Sequence, residues 1–534
     1  MSSDRLAFRS HVLPWLIVAL IPLACGALTL ALDMDANWDL RNYHYYNAYA
    51  FLEGRGGVDF LVASIPTFFN PLIDVPFYLA AEAWPAKRVG FLLGVVQGLN
   101  AVPLYGIAST ALVRGRWRVP IAFTLTLLGV TGVGFLSLLG TTFYDNVVTI
   151  GALLALWLLV ARWEDLSIGR PVAAVFLSAA AGALAGLVAG LKLSSAIYAM
   201  GLFVGALSLP AARARSVLNA VAFALGSALG FAATGGYWMW ALWQRYGNPL
   251  FPFYNQIFRS PWALPQDYKH VFYLPHQAWK RILFPIAYAL EPSIAGDVEF
   301  EDFRVLVAFV LLVVVAILWS LRRRVVVMHE FGETVPSRLI IASVASTYVA
   351  WVALFGIYRY ALALEMLAPL VIVLAIGLLP GPVRMRAGAA AIVLAVVAVS
   401  IKTTDWGRAP WSEKWVEVAM PSPAPEEGAL VLLTGHEPFG FLAPSFPRSV
   451  RFLRIDGGFT NPGETGVAFN QVMRDIVEHH EGAIYVLMIP SDATSPVNNL
   501  RAYGLAIDWN GCRTIESSIG YMPYDLCPVH RLSG

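Results

Sequence analysis

Charge is scarce in this sequence: Asp, Glu, Lys and Arg make up 13% of its 534 residues, against about 25% in soluble globular domains. The few charges nearly cancel, to a net +2, so no basic field points to nucleic acid. Three cysteines exclude a disulfide-rich scaffold and a Cys-based metal cluster. Cys25 lies in an apolar run and reads as packing, while Cys512 and Cys527 lie fifteen residues apart in a polar region and can form one disulfide in an oxidising compartment. There is no G-x-x-x-x-G-K-[ST] loop for ATP phosphates and no H-E-x-x-H zinc helix. Neither internal repeats nor low-complexity tracts occur.

Apolar residues are what the chain has instead. They reach 58%, with a mean hydropathy of +0.63, more than a water-soluble fold of this size can hide. The apolar runs are near-continuous rather than alternating, which excludes a strand-built barrel. The pattern predicts an all-α polytopic membrane protein with about eleven transmembrane helices, over 13–32, 89–113, 119–139, 146–162, 171–191, 196–210, 217–238, 303–321, 338–357, 360–380 and 387–401. Arg5 and Arg9, Arg114, Arg116 and Arg118, Arg162 and Arg170, Arg213 and Arg215, Arg322 to Arg324, and Arg384 and Arg386 fall in every second connection. By the positive-inside rule these connections are cytoplasmic, with Lys87 and Arg88 as the outer-side exceptions. The N-terminus is then cytoplasmic and the C-terminus periplasmic, in an integral membrane protein of a bacterial inner membrane. The first run lacks a well-placed A-x-A-like cleavage site and reads as a retained helix.

This topology divides the chain into a transmembrane domain, 1–401, with outer loops 33–88 and 239–301, and an extracytoplasmic domain, 402–534. The domain has strand-like runs at Ala429–Leu433 and Ala483–Ile489 and a helical stretch near Gly466–His479, with turns at Gly457-Gly458 and Asn510-Gly511. It reads as a small α/β unit, entered through a stiff linker at Pro421, Pro423 and Pro425.

Ionisable residues gather where outer loops meet spans. Asp33, Asp35 and Asp39 follow the first span. A helix over 39–53 would put Asp39, Asn42, Tyr43 and Tyr46 on one face, with the carboxylate at the favourable end of the dipole. Either this is a site, with Tyr43 and His44 as substrate contacts, or Asp39 is an N-cap and the tyrosines are interfacial anchors. Asp145 opens the fourth span. Lys192 ends the fifth and is either functional or snorkelling. Arg359 and Glu365 sit between the ninth and tenth spans, where Glu365 is expected to pair with Arg359. Arg245 and Asn248, in RYGNPLFPFYNQIF, either hold a phosphate or belong to an aromatic belt with proline-fixed turns. His479-His480 reads as a polar surface pair, Arg451 and Arg454 as solvated charges, and His436-Glu437 as a loop. Carboxylates can take a proton from an incoming hydroxyl or amine, and Lys and Arg can hold a phosphate.

The order of these segments resembles the GT-C superfamily of polyprenyl-phosphate-sugar-dependent glycosyltransferases, which includes the aminoarabinose transferases and protein O-mannosyltransferases. The resemblance runs through DLRNYHYYNAYAFLEGR, PTFFNPLIDVPFYLAA, FYDNVVTIGALLALWLLVAR and AGLVAGLKLSSA, covers roughly residues 10–210, and has a weaker echo at YRYAL. Order and sidedness carry it, not any single motif. The chain departs from the family in having Asp39-Leu40 for a common Asp-Glu pair, which leaves the choice of base among Asp33, Asp35, Asp39 and Asp145 open, and Leu191-Lys192 for a common Thr-Lys.

The resemblance implies a membrane glycosyltransferase that moves a sugar from a polyprenyl-phosphate donor to a lipid, glycan or protein acceptor on the outer face, with inversion at the anomeric carbon. Asp39 would be the base, assisted by Asp145, and Lys192 and Arg359 would bind the donor phosphate. No cofactor is required, although Asp and water suit a divalent cation, Mg or Mn, with Asp39 and Asp145 as its ligands. The alternatives are a transporter or flippase for a lipid-linked saccharide, or a polysaccharide polymerase or ligase. Spans almost free of mid-membrane charge speak against a transporter.

Overall fold

The computed structural model describes residues 13–269, 271–275, 277–296, 298–321, 330–491 and 494–532. Arg5, Arg9 and Arg322 to Arg324 lie outside them. Seven helices are long and apolar enough to cross a membrane: Leu13–Ala31, Ala86–Ala111, Pro171–Leu191, Arg213–Tyr246, Arg304–Leu321, Thr334–Leu354 and Tyr358–Gly377. Arg118–Gly129, Asp145–Ala161 and Leu193–Leu207 are apolar but shorter. The expected span 119–139 is broken, its first helix ending at Gly129 and a five-residue helix, Val133–Ser137, following. The protein is therefore an integral membrane protein by the length and composition of its helices.

Small residues set the packing of two of these helices. Ser178, Gly182, Gly186 and Gly190 recur every four residues along Pro171–Leu191 and form one stripe, which faces Gly226 and Gly230 of the helix beginning at Arg213. A Cβ on Gly182 would strike the Phe223 carbonyl oxygen, and one on Gly186 the Ser227 carbonyl oxygen. Backbone-to-backbone contact of this kind replaces the hydrophobic drive that lipid does not supply. The helix ends at Leu191, with Lys192 as its C-terminal cap residue. The side chain of Asn70 locks that end, donating to the carbonyls of Gly190 and Thr234, both at 2.8 Å. At the centre of the bundle, every residue of Leu362–Gly377 is buried.

The C-terminal region carries a seven-stranded mixed sheet built from β3 (Val418–Ala419), β4 (Leu430–Leu433), β5 (Arg451–Arg454), β6 (Ile484–Met488), β7 (Leu505–Ile507), β8 (Arg513–Ser517) and β9 (Tyr524–Arg531). Strand β4 pairs in parallel with β5 and β6, and β9 runs antiparallel to β6, β7 and β8. With helices Ala468–His479 and Thr494–Arg501, this is the expected small α/β unit. Cys512 and Cys527 are disulfide-bonded, and Cys25 is free and buried.

The region is not joined through a linker. Strand β3 precedes Pro421 and already pairs with β8, so the prolines lie between strands. The first long loop is sewn onto the same unit. Its β1 (Met34–Asp35) pairs with β2 (Arg408–Ala409), and Phe60 bridges to Leu453 at the sheet edge. Alternation along β4 then divides two cores. Val431 and Leu433 face Tyr45, Tyr46, Tyr49 and Trp415, while Leu430 and Leu432 face Phe60, Phe68, Tyr246 and Phe251. The loop is thus clamped between the helices and the sheet.

The glycine stripe yields a direct test. Gly186→Val should cost about 1–3 kcal/mol by overpacking, read as a lower thermal midpoint of the purified protein. An unchanged midpoint would show that the two helices are not in backbone contact there.

Candidate functional site

Four ionisable side chains from separate segments meet beside the clamped loop. Asp39 precedes a π-helical turn, Leu40–His44, that leads into the helix Tyr45–Leu52. Asp145 is the first residue of the helix Asp145–Ala161, which Tyr144 enters with a left-handed backbone, φ 60°. Lys192 follows the C-terminus of Pro171–Leu191. Arg359 sits in a short 3-10 turn, Tyr358–Ala361. Each carboxylate is at a helix N-terminus and the lysine at a helix C-terminus, the ends that backbone dipoles favour.

The cations and carboxylates pair across these segments. Lys192 Nζ donates to Asp145 Oδ1 at 2.7 Å and to the Phe143 carbonyl at 2.6 Å. Arg359 Nη1 donates to Asp39 Oδ2 at 2.9 Å and stands 4.0 Å from Asp145 Oδ2. The Arg359 guanidinium also lies over the Phe143 ring, 4.4 Å from its centroid. The Tyr43 hydroxyl donates to Asp39 Oδ2 at 3.2 Å. Asp145 Oδ2 and Arg359 Nε are buried without a hydrogen-bond partner, an exception among buried polar groups.

One residue absent from the sequence reading, Asp74, joins this cluster together with the expected His44. Asp74 is buried and pairs with His44, Oδ1 to Nδ1, at 2.6 Å. Burial pushes the Asp74 carboxyl well above its ordinary range and the His44 imidazole well below its own, so both are driven towards uncharged forms. His44 Nε2 has no hydrogen-bond partner. Its ring lies edge-on to Tyr144, with centroids 4.9 Å apart. Asp74 stands inside PLIDVP, where a carboxylate between apolar residues just before a helix was the available signal.

Several expectations are corrected. Glu365 does not pair with Arg359; its carboxylate accepts from the backbone N–H groups of Gly134 and Phe135, at 2.8 and 2.9 Å. It is fully buried, as are Asp302 and Arg304, which pair with each other at 2.8 Å, so the bundle does hold charge in its interior. Asp39, Asn42, Tyr43 and Tyr46 do not share one face, because the π-helical turn shifts the register. Asn42 donates to the Ala63 carbonyl and Tyr46 to Asp59, while Tyr43 turns to Asp39. Tyr43 and Tyr46 are buried, not interfacial anchors. Asn248 is buried and closes its own turn through Phe253 O and Leu250 N. Arg454 is not solvated but buried, donating to carbonyls of Val62, Gly435 and Glu437.

The upstream aspartates separate. Asp35 is fully buried and accepts from Thr142 N and Oγ1, both at 2.8 Å, and from Asn37. It is a tie between the first loop and the segment before Asp145. Asp39 is the first-loop aspartate that meets the cations. Asp145 Oδ1 accepts from Lys192, and Asp39 Oδ2 accepts from Arg359 and Tyr43. Among the described residues no group of three or more His, Cys, Asp or Glu side chains is placed to hold a metal.

No family model, no curated protein and no solved structure matches this chain.

The paired charges predict a pattern of stabilities. Lys192→Met leaves Asp145 buried with one distant cation and should cost about 3–5 kcal/mol, seen in thermal unfolding. Adding Asp145→Asn should recover more than half of that loss. A double variant as unstable as the single one would show that the two residues do not stabilise each other.

Proposed function

We propose that the protein is a glycosyltransferase that moves a sugar from a polyprenyl-phosphate donor to an acceptor at the outer surface of the membrane. The observation that carries this reading is the meeting of two carboxylates and two cations, Asp39, Asp145, Lys192 and Arg359, within hydrogen-bonding or ion-pair distance of one another. Both halves of a displacement at a phosphorylated anomeric carbon are present: a base for the acceptor and positive charge for the leaving phosphate. The alternation of arginine clusters supports an outer site and a periplasmic C-terminus.

In the reaction, the acceptor oxygen attacks the anomeric carbon while Asp39 takes its proton. The bond from that carbon to the phosphate oxygen breaks on the opposite face, and polyprenyl phosphate leaves with the electron pair. As Asp39 is protonated it ceases to neutralise Arg359, whose charge becomes free for the phosphate at the moment negative charge grows there. That is stabilisation specific to the transition state. Lys192 supplies a second cation, and Asp145 holds it in place. The base and the anion clamp are thus coupled through one ion pair.

Asp39→Asn should lower transfer from a labelled prenyl-phosphate sugar by about 10²–10⁴-fold with folding intact. Lys192→Ala and Arg359→Ala should each weaken donor binding, by about 1.5–3 kcal/mol for a charge-assisted hydrogen bond, and Lys192→Arg should restore part of it. Near-normal transfer by Asp39→Asn, or unchanged donor affinity in both cation variants, would overturn the assignment.

A further inference from the structure

Beyond the ion-paired cluster, the first loop walls a cavity. Tyr46, Asn47 and Phe51, on the same helix that Asp39 leads into, face Trp238 and Arg245 across a cavity of about 290 Å³. Ligand pockets begin at about 300 Å³, so the space is of the size that takes one small moiety. Phe69 lines it and also packs edge-on against Tyr43, ring centroids 5.4 Å apart. Tyr43 in turn bonds Asp39. One aromatic layer therefore separates the cavity from the site.

Its charges are unbalanced. Arg55 is paired with Asp59 at 2.6 Å and donates to the carbonyls of Arg448 and Val450. Asp59 also accepts from Tyr46 and from the Phe452 N–H. That pair is closed. Arg245 has no carboxylate partner among the described residues, and it extends over the Tyr246 ring, 5.5 Å from its centroid. Its guanidinium rests against Gly56 and Gly57, where added Cβ atoms would sit 3.3 and 3.1 Å from its terminal nitrogens. Gly57 has φ +100°, a backbone that other residues rarely adopt. The indole of Trp238 is fixed by donating to the Phe68 carbonyl at 2.8 Å. A rigid aromatic wall beside one uncompensated planar cation is the chemistry that binds a sugar ring carrying an oxyanion.

We infer that this cavity binds a saccharide bearing an oxyanion, phosphate or carboxylate, with Arg245 as its partner, and that it is the acceptor pocket. Calling the ligand the acceptor rests on the sugar-transfer reading; the binding does not.

The test is calorimetric titration of the full chain, in phosphatidylcholine nanodiscs and without donor, with glucose 6-phosphate, glucuronate and glucose. The two anionic probes should bind saturably and glucose at least about tenfold more weakly. Arg245→Ala should lower affinity for the anionic probes about tenfold or more, and Arg245→Lys should keep part of it. Equal affinity for glucose and the anionic probes, or unchanged affinity in Arg245→Ala, would overturn the inference. In nanodiscs with added phosphatidylglycerol the affinity should not change; competition there would assign the pocket to a lipid headgroup and overturn the saccharide. Donor binding at Lys192 and Arg359 is read separately, so a protein that binds these probes and transfers no sugar fails the transfer reading alone.

Discussion

Charges taken out of water must be paired, and this requirement organises the structure around Asp39, Asp145, Lys192 and Arg359. An unpaired buried charge costs several kcal/mol, so each of these side chains constrains where the segment bearing the other can lie. The glycine stripe on Pro171–Leu191 sets where Lys192 ends up. The left-handed Tyr144 starts the next helix at Asp145. The pairing of β1 with β2 and the bridge from Phe60 to Leu453 hold the first loop so that Asp39 meets Arg359.

A second buried charged group gives a useful contrast. Asp302, Arg304 and Glu365 are fully buried, and their oxygens and nitrogens are met by backbone groups. Asp302 Oδ2 accepts from Val133 N, Arg304 donates to Leu128 O, and both Glu365 oxygens accept from N–H groups. That set is closed and reads as a structural tie around the broken helix at Gly129–Val133. The site cluster is open: Asp145 Oδ2, Arg359 Nε and His44 Nε2 have no hydrogen-bond partner. Buried polar atoms left unmatched at a convergence of charge are what a site for a polar ligand would require.

Much of this was legible in the sequence. Long apolar runs give helices whatever they pack against, and the C-terminal region showed two of its seven strands, β4 and β6, as short apolar runs. Asp39, Asp145, Lys192 and Arg359 were visible because ionisable residues beside apolar spans are costly and few. What could not be read was partnership. Arg359 is six residues from Glu365 in the chain and pairs instead with Asp39, 320 positions away. The π-helical turn at Leu40–His44 defeats any i, i+3, i+4 face, so Asn42 and Tyr46 face the loop instead of the site. The partner of Asp74, His44, lies 30 positions away in the chain, beyond the reach of any local pattern.

The central claim is that the cluster breaks a sugar–phosphate bond. The direct measurement is the fate of that bond in liposomes containing the purified protein, a polyprenyl phosphate carrying a labelled sugar, and an envelope extract as acceptor source. The account predicts that label moves into acceptor while free polyprenyl phosphate accumulates in equal amount. Label that crosses the bilayer still joined to its prenyl phosphate would contradict it and make the protein a transporter of the intact lipid-linked sugar.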